Sequence, residues 1–145
     1  MKNLIAILVI SAFGIFQSCS TQTMNDPQTL NLELSGSYTL EFINEVNIDE
    51  GFPNKRPSLT LESVSKKLTG NTGCNQMFGN FSTDQNKISF SGLGMTKMFC
   101  EGVNESAYTK NLEKVASYRF DNDKLSFFDD KGLELLRYTR NSIVK

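Results

Sequence analysis

Histidine is absent from all 145 residues, and this excludes more than any other feature of the composition. Ser-His-Asp and Cys-His mechanisms cannot be assembled without an imidazole to move the proton. Histidine-ligated zinc is excluded for the same reason. Basic clusters are lacking as well: 15 Lys and Arg stand against 16 Asp and Glu, for a net charge of −1. Nothing gathers the positive charge needed to track a phosphate backbone, so nucleic acid is not an expected partner. The glycine-rich stretch 69–81 lacks the Gly-Lys-Ser/Thr ending of a phosphate loop. Asp121 and Asp123 faintly suggest a calcium loop, but the third oxygen ligand, the central glycine and the closing glutamate are missing. They are read as a turn. Carboxylates are plentiful enough for a two-acid hydrolase, yet no spacing selects a pair. The expectation is a chain with no catalytic constellation, no cofactor and no metal.

Long apolar runs are scarce too. One stretch, Leu4 to Phe16, is nearly uninterrupted, with Lys2 before it and Gln17-Ser18-Cys19 after it. At about thirteen residues it falls short of the roughly 20 that span a bilayer, and it fits the core of a signal peptide. A cysteine directly after such a core, preceded by the small Ser18, is similar to a lipobox. Cleavage there would leave a lipidated Cys19 as the new N-terminus. An ordinary signal peptide that happens to contain a cysteine is the alternative. Membrane affinity rises by about 0.8 kcal/mol per buried CH₂, so several acyl chains on Cys19 would make the tether stable. Ser20 is not the acidic residue associated with inner-membrane retention, which makes the outer membrane the expected address.

The expected organisation follows: a lipoprotein signal peptide over 1–18, lipidated Cys19 and a polar spacer over 19–34, a domain over 35–140 and a short tail over 141–145. As a coil the spacer would average about 20 Å, against roughly 50 Å fully extended. Leu30, Leu32 and Leu34 alternate, which leaves its end open to joining the fold. With Cys19 assigned to lipid, Cys74 and Cys100 remain as an even pair in an oxidising compartment. A disulfide between them would close a loop of about 27 residues and stabilise the fold by about 3.5 kcal/mol. Two buried free thiols are the alternative. Two cysteines in such a compartment make a poor metal site.

From Gly36 onward the dominant period is two, the signature of strands. Tyr38, Leu40 and Phe42 alternate with polar residues, as do Leu59 and Leu61, Ile88 and Phe90, Tyr118 and Phe120, and Leu125 and Phe127. A last strand is expected over about 133–139, where the adjacent Leu135 and Leu136 suggest cover on both faces. Asp121-Asn122-Asp123 and Asp129-Asp130-Lys131-Gly132 supply turn residues, predicting a C-terminal three-strand meander. One segment differs: Tyr108, Leu112 and Val115 recur at helical spacing behind Asn104, a candidate N-cap. Val103 is placed to staple against Tyr108. Lys110 and Lys114 lie towards the end where the helix dipole favours cations. The pattern predicts a mainly β, antiparallel barrel or strongly curled sheet with one α-helix over about 104–117 closing an end.

The richest stretch holds Gly70, Thr72, Gly73, Cys74, Asn75, Phe78 and Gly79; Thr96, Met98 and Cys100 follow, then Glu105 at the helix start. This combination resembles the META domain family, which includes HslJ-like envelope lipoproteins. The family's core reads Gly-x-Thr-Gly-Cys-Asn-x-Phe-x-Gly, followed by Thr-x-Met-x-Cys. Here Gln76-Met77-Phe78 shifts the spacing slightly, and Tyr38 stands where members usually carry tryptophan. The resemblance covers about 35–140. It implies a lipocalin-like barrel topology with one helix and an envelope location, and it implies no reaction. An association with envelope stress is a looser implication. Physically, the glycines allow turns and close approaches, while Asn75 and Thr96 can satisfy buried backbone groups beside the two cysteines. A disulfide-linked corner of the barrel is the plain reading of this constellation, with a ligand-binding rim as the alternative. Met95, Met98 and Phe99 form an apolar cluster beside Cys100 and are read as core, with a recognition patch as the alternative.

Three functional readings follow. The first is a non-enzymatic envelope lipoprotein domain that binds a ligand or protein partner, or supports the envelope under stress. The second is a carrier for a small apolar ligand, which needs a barrel interior lined but not filled by Tyr38, Phe42, Phe78, Phe90 and Phe120. The third is a carboxylate-based hydrolase, which needs a cleft holding two acids with raised pKa values.

Overall fold

A computed structural model describes residues 34–142. The signal peptide, Cys19, nearly all of the spacer and the last residues of the tail lie outside them. Eight strands form: β1 Gly36–Ile43, β2 Ser58–Glu62, β3 Lys67–Asn71, β4 Gln76–Asp84, β5 Lys87–Met95, β6 Ser117–Asp121, β7 Lys124–Phe128 and β8 Glu134–Arg140. Each pairs antiparallel with the next, and β8 returns to β1 to close a ring. The ring is uneven, because β5 and β6 share the single register pair Lys87–Ser117. The architecture is therefore a strongly curled sheet rather than an even barrel. Residues 96–116, which connect those two strands, carry helix α2, Glu105–Glu113.

Alternation puts one apolar set inside. Tyr38, Leu40, Leu59, Leu68, Leu125, Phe127, Leu136 and Tyr138 are completely buried, and Tyr108 and Leu112 of α2 join them. The Phe127 ring packs edge-on against Tyr138 at 5.7 Å and Phe90 at 5.5 Å, the arrangement that ring quadrupoles favour. Tyr138 donates its hydroxyl to Tyr108 at 2.9 Å, and burial pushes both phenols above their ordinary pKa. Side chains with no exposed surface leave no water-sized void against them, so this interior is a packed core. That removes the hollow chamber the carrier reading requires. Of its expected lining, Tyr38 is buried within the core, Phe42, Phe90 and Phe120 are partly covered, and Phe78 is 56% exposed.

Strict alternation fails in β1, where Phe42 was expected inside. The β1–β8 register shifts between Leu40 and Phe42. A bulge inserts one residue and turns the following side chains to the other face. Ile43 is buried instead, and Phe42 stacks with Arg137 at 5.2 Å. A second shift, between Phe127 and Phe128 against β8, accompanies the burial of both Leu135 and Leu136. The C-terminal meander forms as expected. Asn122 and Asp123 take φ of 45° and 63°, the paired positive values a two-residue hairpin needs.

The helix is shorter than 104–117. Asn104 caps it by accepting from the Ala107 amide at 3.3 Å, and it ends at Glu113 because Ser117 is already paired in β6. A second helical turn, α1 Ile48–Gly51, was not anticipated; Asn47 caps it through the Asp49 and Glu50 amides. One turn is too short to show helical periodicity in sequence.

Candidate functional site

The motif residues converge at one corner, where the turn between β3 and β4 meets the segment after β5. Asn75, 2% exposed, is its centre. Its Oδ1 accepts from the Met98 amide at 2.7 Å and the Thr96 hydroxyl at 2.8 Å. Its Nδ2 donates to the Met98 carbonyl at 3.1 Å and to both Glu105 carboxylate oxygens at 3.0 Å. The Thr72 hydroxyl accepts from the Asn75 amide at 2.9 Å and donates to Glu105. Glu105 sits in the first turn of α2, where the helix dipole favours a negative charge. The Gln76 amide donates to Thr96 Oγ1 at 3.1 Å. The Cys74–Cys100 disulfide, with Cα atoms 5.8 Å apart, clamps the same two segments. One side chain thus holds both backbone groups of Met98.

What this corner holds is turned outward. Met98 is 58% exposed and Phe99 93%. The expectation that Met98 and Phe99 belong to the core is overturned, because the backbone bonds from Asn75 direct the segment along the surface. Met95, last in β5, is partly buried opposite Met77.

The corner also has a surface depression. A cavity of about 540 Å³ is lined by Phe99, Cys100 and Val103 together with Glu45, Val46 and Glu50. A second, of about 410 Å³, lies along α2 towards Leu133 and Leu135.

The sequence profile of the META domain matches residues 28–142. The chain belongs to the META domain family. No curated protein matches it. Among solved structures, this META domain is similar to a Burkholderia xenovorans protein studied by NMR (19% identity, TM-score 0.62), over 98% of this chain and 99% of that one. A DUF4847 family protein from Bacteroides vulgatus, known from a crystal structure, shares 12% identity and a TM-score of 0.57 over 78% and 97% of the two chains. At these identities the likeness is one of fold.

Within the META domain the motif residues divide by role. Thr72, Cys74, Asn75, Thr96, Met98, Cys100 and Glu105 make the corner itself. Gly73 turns the chain into it with φ of 97°, and its amide donates to Asn71 Oδ1 at 2.9 Å. Asn71 was not singled out, although an Asn two residues before a turn glycine is a recognisable Asx signal. Gly70 is elsewhere: it lies over β2, where a Cβ would come within 2.2 Å of the Ser58 carbonyl oxygen. Phe78 and Gly79 face opposite sides of β4, Phe78 against Gly94 and Gly79 against Leu93.

The META domain has a second polar cluster, on the outer face of β1, β7 and β8. Glu41 accepts from Lys124 and Thr139, and from Arg137 at 2.8 Å; Arg137 also pairs with Glu134 at 3.2 Å. Burial alone would raise the Glu41 carboxyl. Hydrogen bonds from Lys124, Thr139 and Arg137 and the charge on Lys124 outweigh it and hold the group below its ordinary value. That is the opposite of what a general acid needs. A depressed acid stabilises the fold above its unfolded pKa and ceases to as pH falls through the folded value. Glu41→Gln should therefore lower stability at pH 7 by at most about 1 kcal/mol, given how exposed the cluster is. The gap between variant and parent should close in denaturant titrations below the ordinary carboxylate range.

Proposed function

We propose that this META domain is a non-enzymatic, lipid-tethered envelope module that binds a protein partner through the surface bearing Met98 and Phe99. The observation that carries this reading is the fixed backbone of Met98 beneath two exposed apolar side chains. Binding is tighter when the contact surface is ordered beforehand, because less freedom is lost on association. Exposed aromatic anchors are the residues that dominate such contacts. The corner's polar groups are occupied with one another, and the chain has no histidine, which favours binding over catalysis. The tether rests on Lys2, the apolar run and Cys19, and the outer-membrane address on the non-acidic Ser20 that follows. Support of the envelope under stress would be a consequence of that partnership.

A photo-reactive residue in place of Phe99, expressed in cells, should crosslink to a discrete partner. The same residue in place of Val64, equally exposed at 90% but on the β2–β3 turn, should not. Equal crosslinking at both positions, or none at either, would reject the reading.

A further inference from the structure

The chain enters the fold beside a depression. Residues 63–66 turn β2 into β3, and Gly36 of β1 pairs with Leu61 of β2 just before that turn. Leu34 is completely buried, and its carbonyl accepts from the Tyr38 hydroxyl at 2.8 Å. Ser35 Oγ accepts from the Ser63 amide at 3.0 Å. Leu34 and Ser35 are thus pinned next to the turn. A surface depression of about 610 Å³ opens there, with Ser35, Gly36, Leu61, Ser63, Val64 and Ser65 in its lining. Two of these residues await a neighbour. Val64 is 90% exposed, while Ser63 is 7% exposed and its buried hydroxyl has no hydrogen-bond partner among the described residues. Buried hydroxyls are nearly always paired.

Sequence and reach name the occupant. Residues 28–33, Gln-Thr-Leu-Asn-Leu-Glu, run directly into Leu34, and Leu30 and Leu32 continue its alternation. In an extended chain the three leucines share one face. Six residues span at most about 20 Å, so this segment stays within reach of the turn. The META profile, moreover, begins at residue 28 and not at Leu34. We infer that residues 28–33 dock in this depression, with Leu30 and Leu32 against Val64 and a main-chain carbonyl of the segment accepting from the Ser63 hydroxyl.

A consequence follows that rests on the proposed lipid tether. Docking leaves only residues 20–27 between Cys19 and the domain, which reach about 28 Å instead of roughly 50 Å. β3 runs from this turn to Asn71, so the Asn75 corner lies at the other end of that strand. The tether then leaves from the end of the ring opposite Met98 and Phe99, and a short spacer holds those side chains away from the membrane.

The test uses the full chain in detergent micelles. Amides of 30–33 should be protected from hydrogen exchange at least about tenfold more than those of 20–27. Ser63→Ala should lower that protection about fivefold while the β2–β3 ladder amides keep theirs. Leu30→Ser with Leu32→Ser should abolish it. A photo-reactive residue at position 64 should crosslink to residues 28–33 of its own chain, as mixing isotope-labelled with unlabelled protein will show. Unprotected amides over 30–33, no response to Ser63→Ala, or a crosslink from position 64 into another chain each overturns the inference. If 30–33 are unprotected while position 99 still captures a partner, the docking falls and the proposed function stands. If the docking is found but Cys19 carries no lipid, or position 99 captures nothing, the proposed function falls and the docking stands.

Discussion

Asn75→Ala is expected to lower the unfolding free energy by about 4 kcal/mol, towards the upper end for a single polar substitution. The loss comes from what is left behind. The Met98 amide and the Thr96 hydroxyl lose their acceptor, the Met98 carbonyl loses its amide donor, and Glu105 loses Asn75 and keeps Thr72. Each buried group left without a partner costs about 1–3 kcal/mol, and water reaching the partly exposed members reduces the total. Guanidinium titration should show the midpoint falling with the slope retained, the mark of a stability change without loss of compactness. Asn75→Asp keeps the shape and the acceptor but turns the donor into a second carboxylate facing Glu105. Its deficit should be as large at pH 7 and smaller at pH 4, where protonation of the introduced carboxyl restores a donor. A loss under about 1 kcal/mol for Asn75→Ala would mean the corner relaxes around the gap and does not act as one network.

Much of the ring was legible because alternation and burial follow one rule. Leu59 with Leu61, and Leu125 with Phe127, point inward as their spacing predicts, and the Asn122-Asp123 turn adopts the conformation its residues favour. The misreadings share a cause, which is that bulges are set by pairing between distant strands. Nothing near Phe42 in sequence indicates that β8 will slip by one residue against it. Met98 and Phe99 were misplaced for a related reason. Apolar residues beside a disulfide usually go inside, and only the bonds from Asn75, 23 residues before Met98, show that this segment stays at the surface. The motif could be read from sequence as a constellation, with Asn75 and Thr96 as its satisfiers of backbone groups. The contact between Asn75 and Glu105, 30 residues apart, depends on where α2 docks, and no local pattern encodes that.

Replacing the disulfide by Cys74→Ser with Cys100→Ser is expected to cost about 3.5 kcal/mol by chain-entropy arithmetic for a 26-residue separation, measured by the same titration under non-reducing conditions. This cost resembles that of Asn75→Ala in size but differs in origin. The bridge acts mainly by restricting the unfolded chain, whereas Asn75 acts on the folded corner by holding both backbone groups of Met98. Hydrogen exchange should separate the two. In the serine variant the Met98 amide keeps its acceptor, and its protection should fall only in proportion to global stability. In Asn75→Ala the bridge survives while that amide loses its bond, so it should exchange far faster than the β2–β3 ladder amides. Crosslinking through position 99 should follow the same division: retained in the serine variant at temperatures where it remains folded, and weakened in Asn75→Ala even there. If partner capture tracks global stability alone in both variants, presentation of Phe99 by Asn75 has no part in binding. If it tracks Met98 protection, the META motif at this corner serves to hold that surface in place as well as to stabilise the fold.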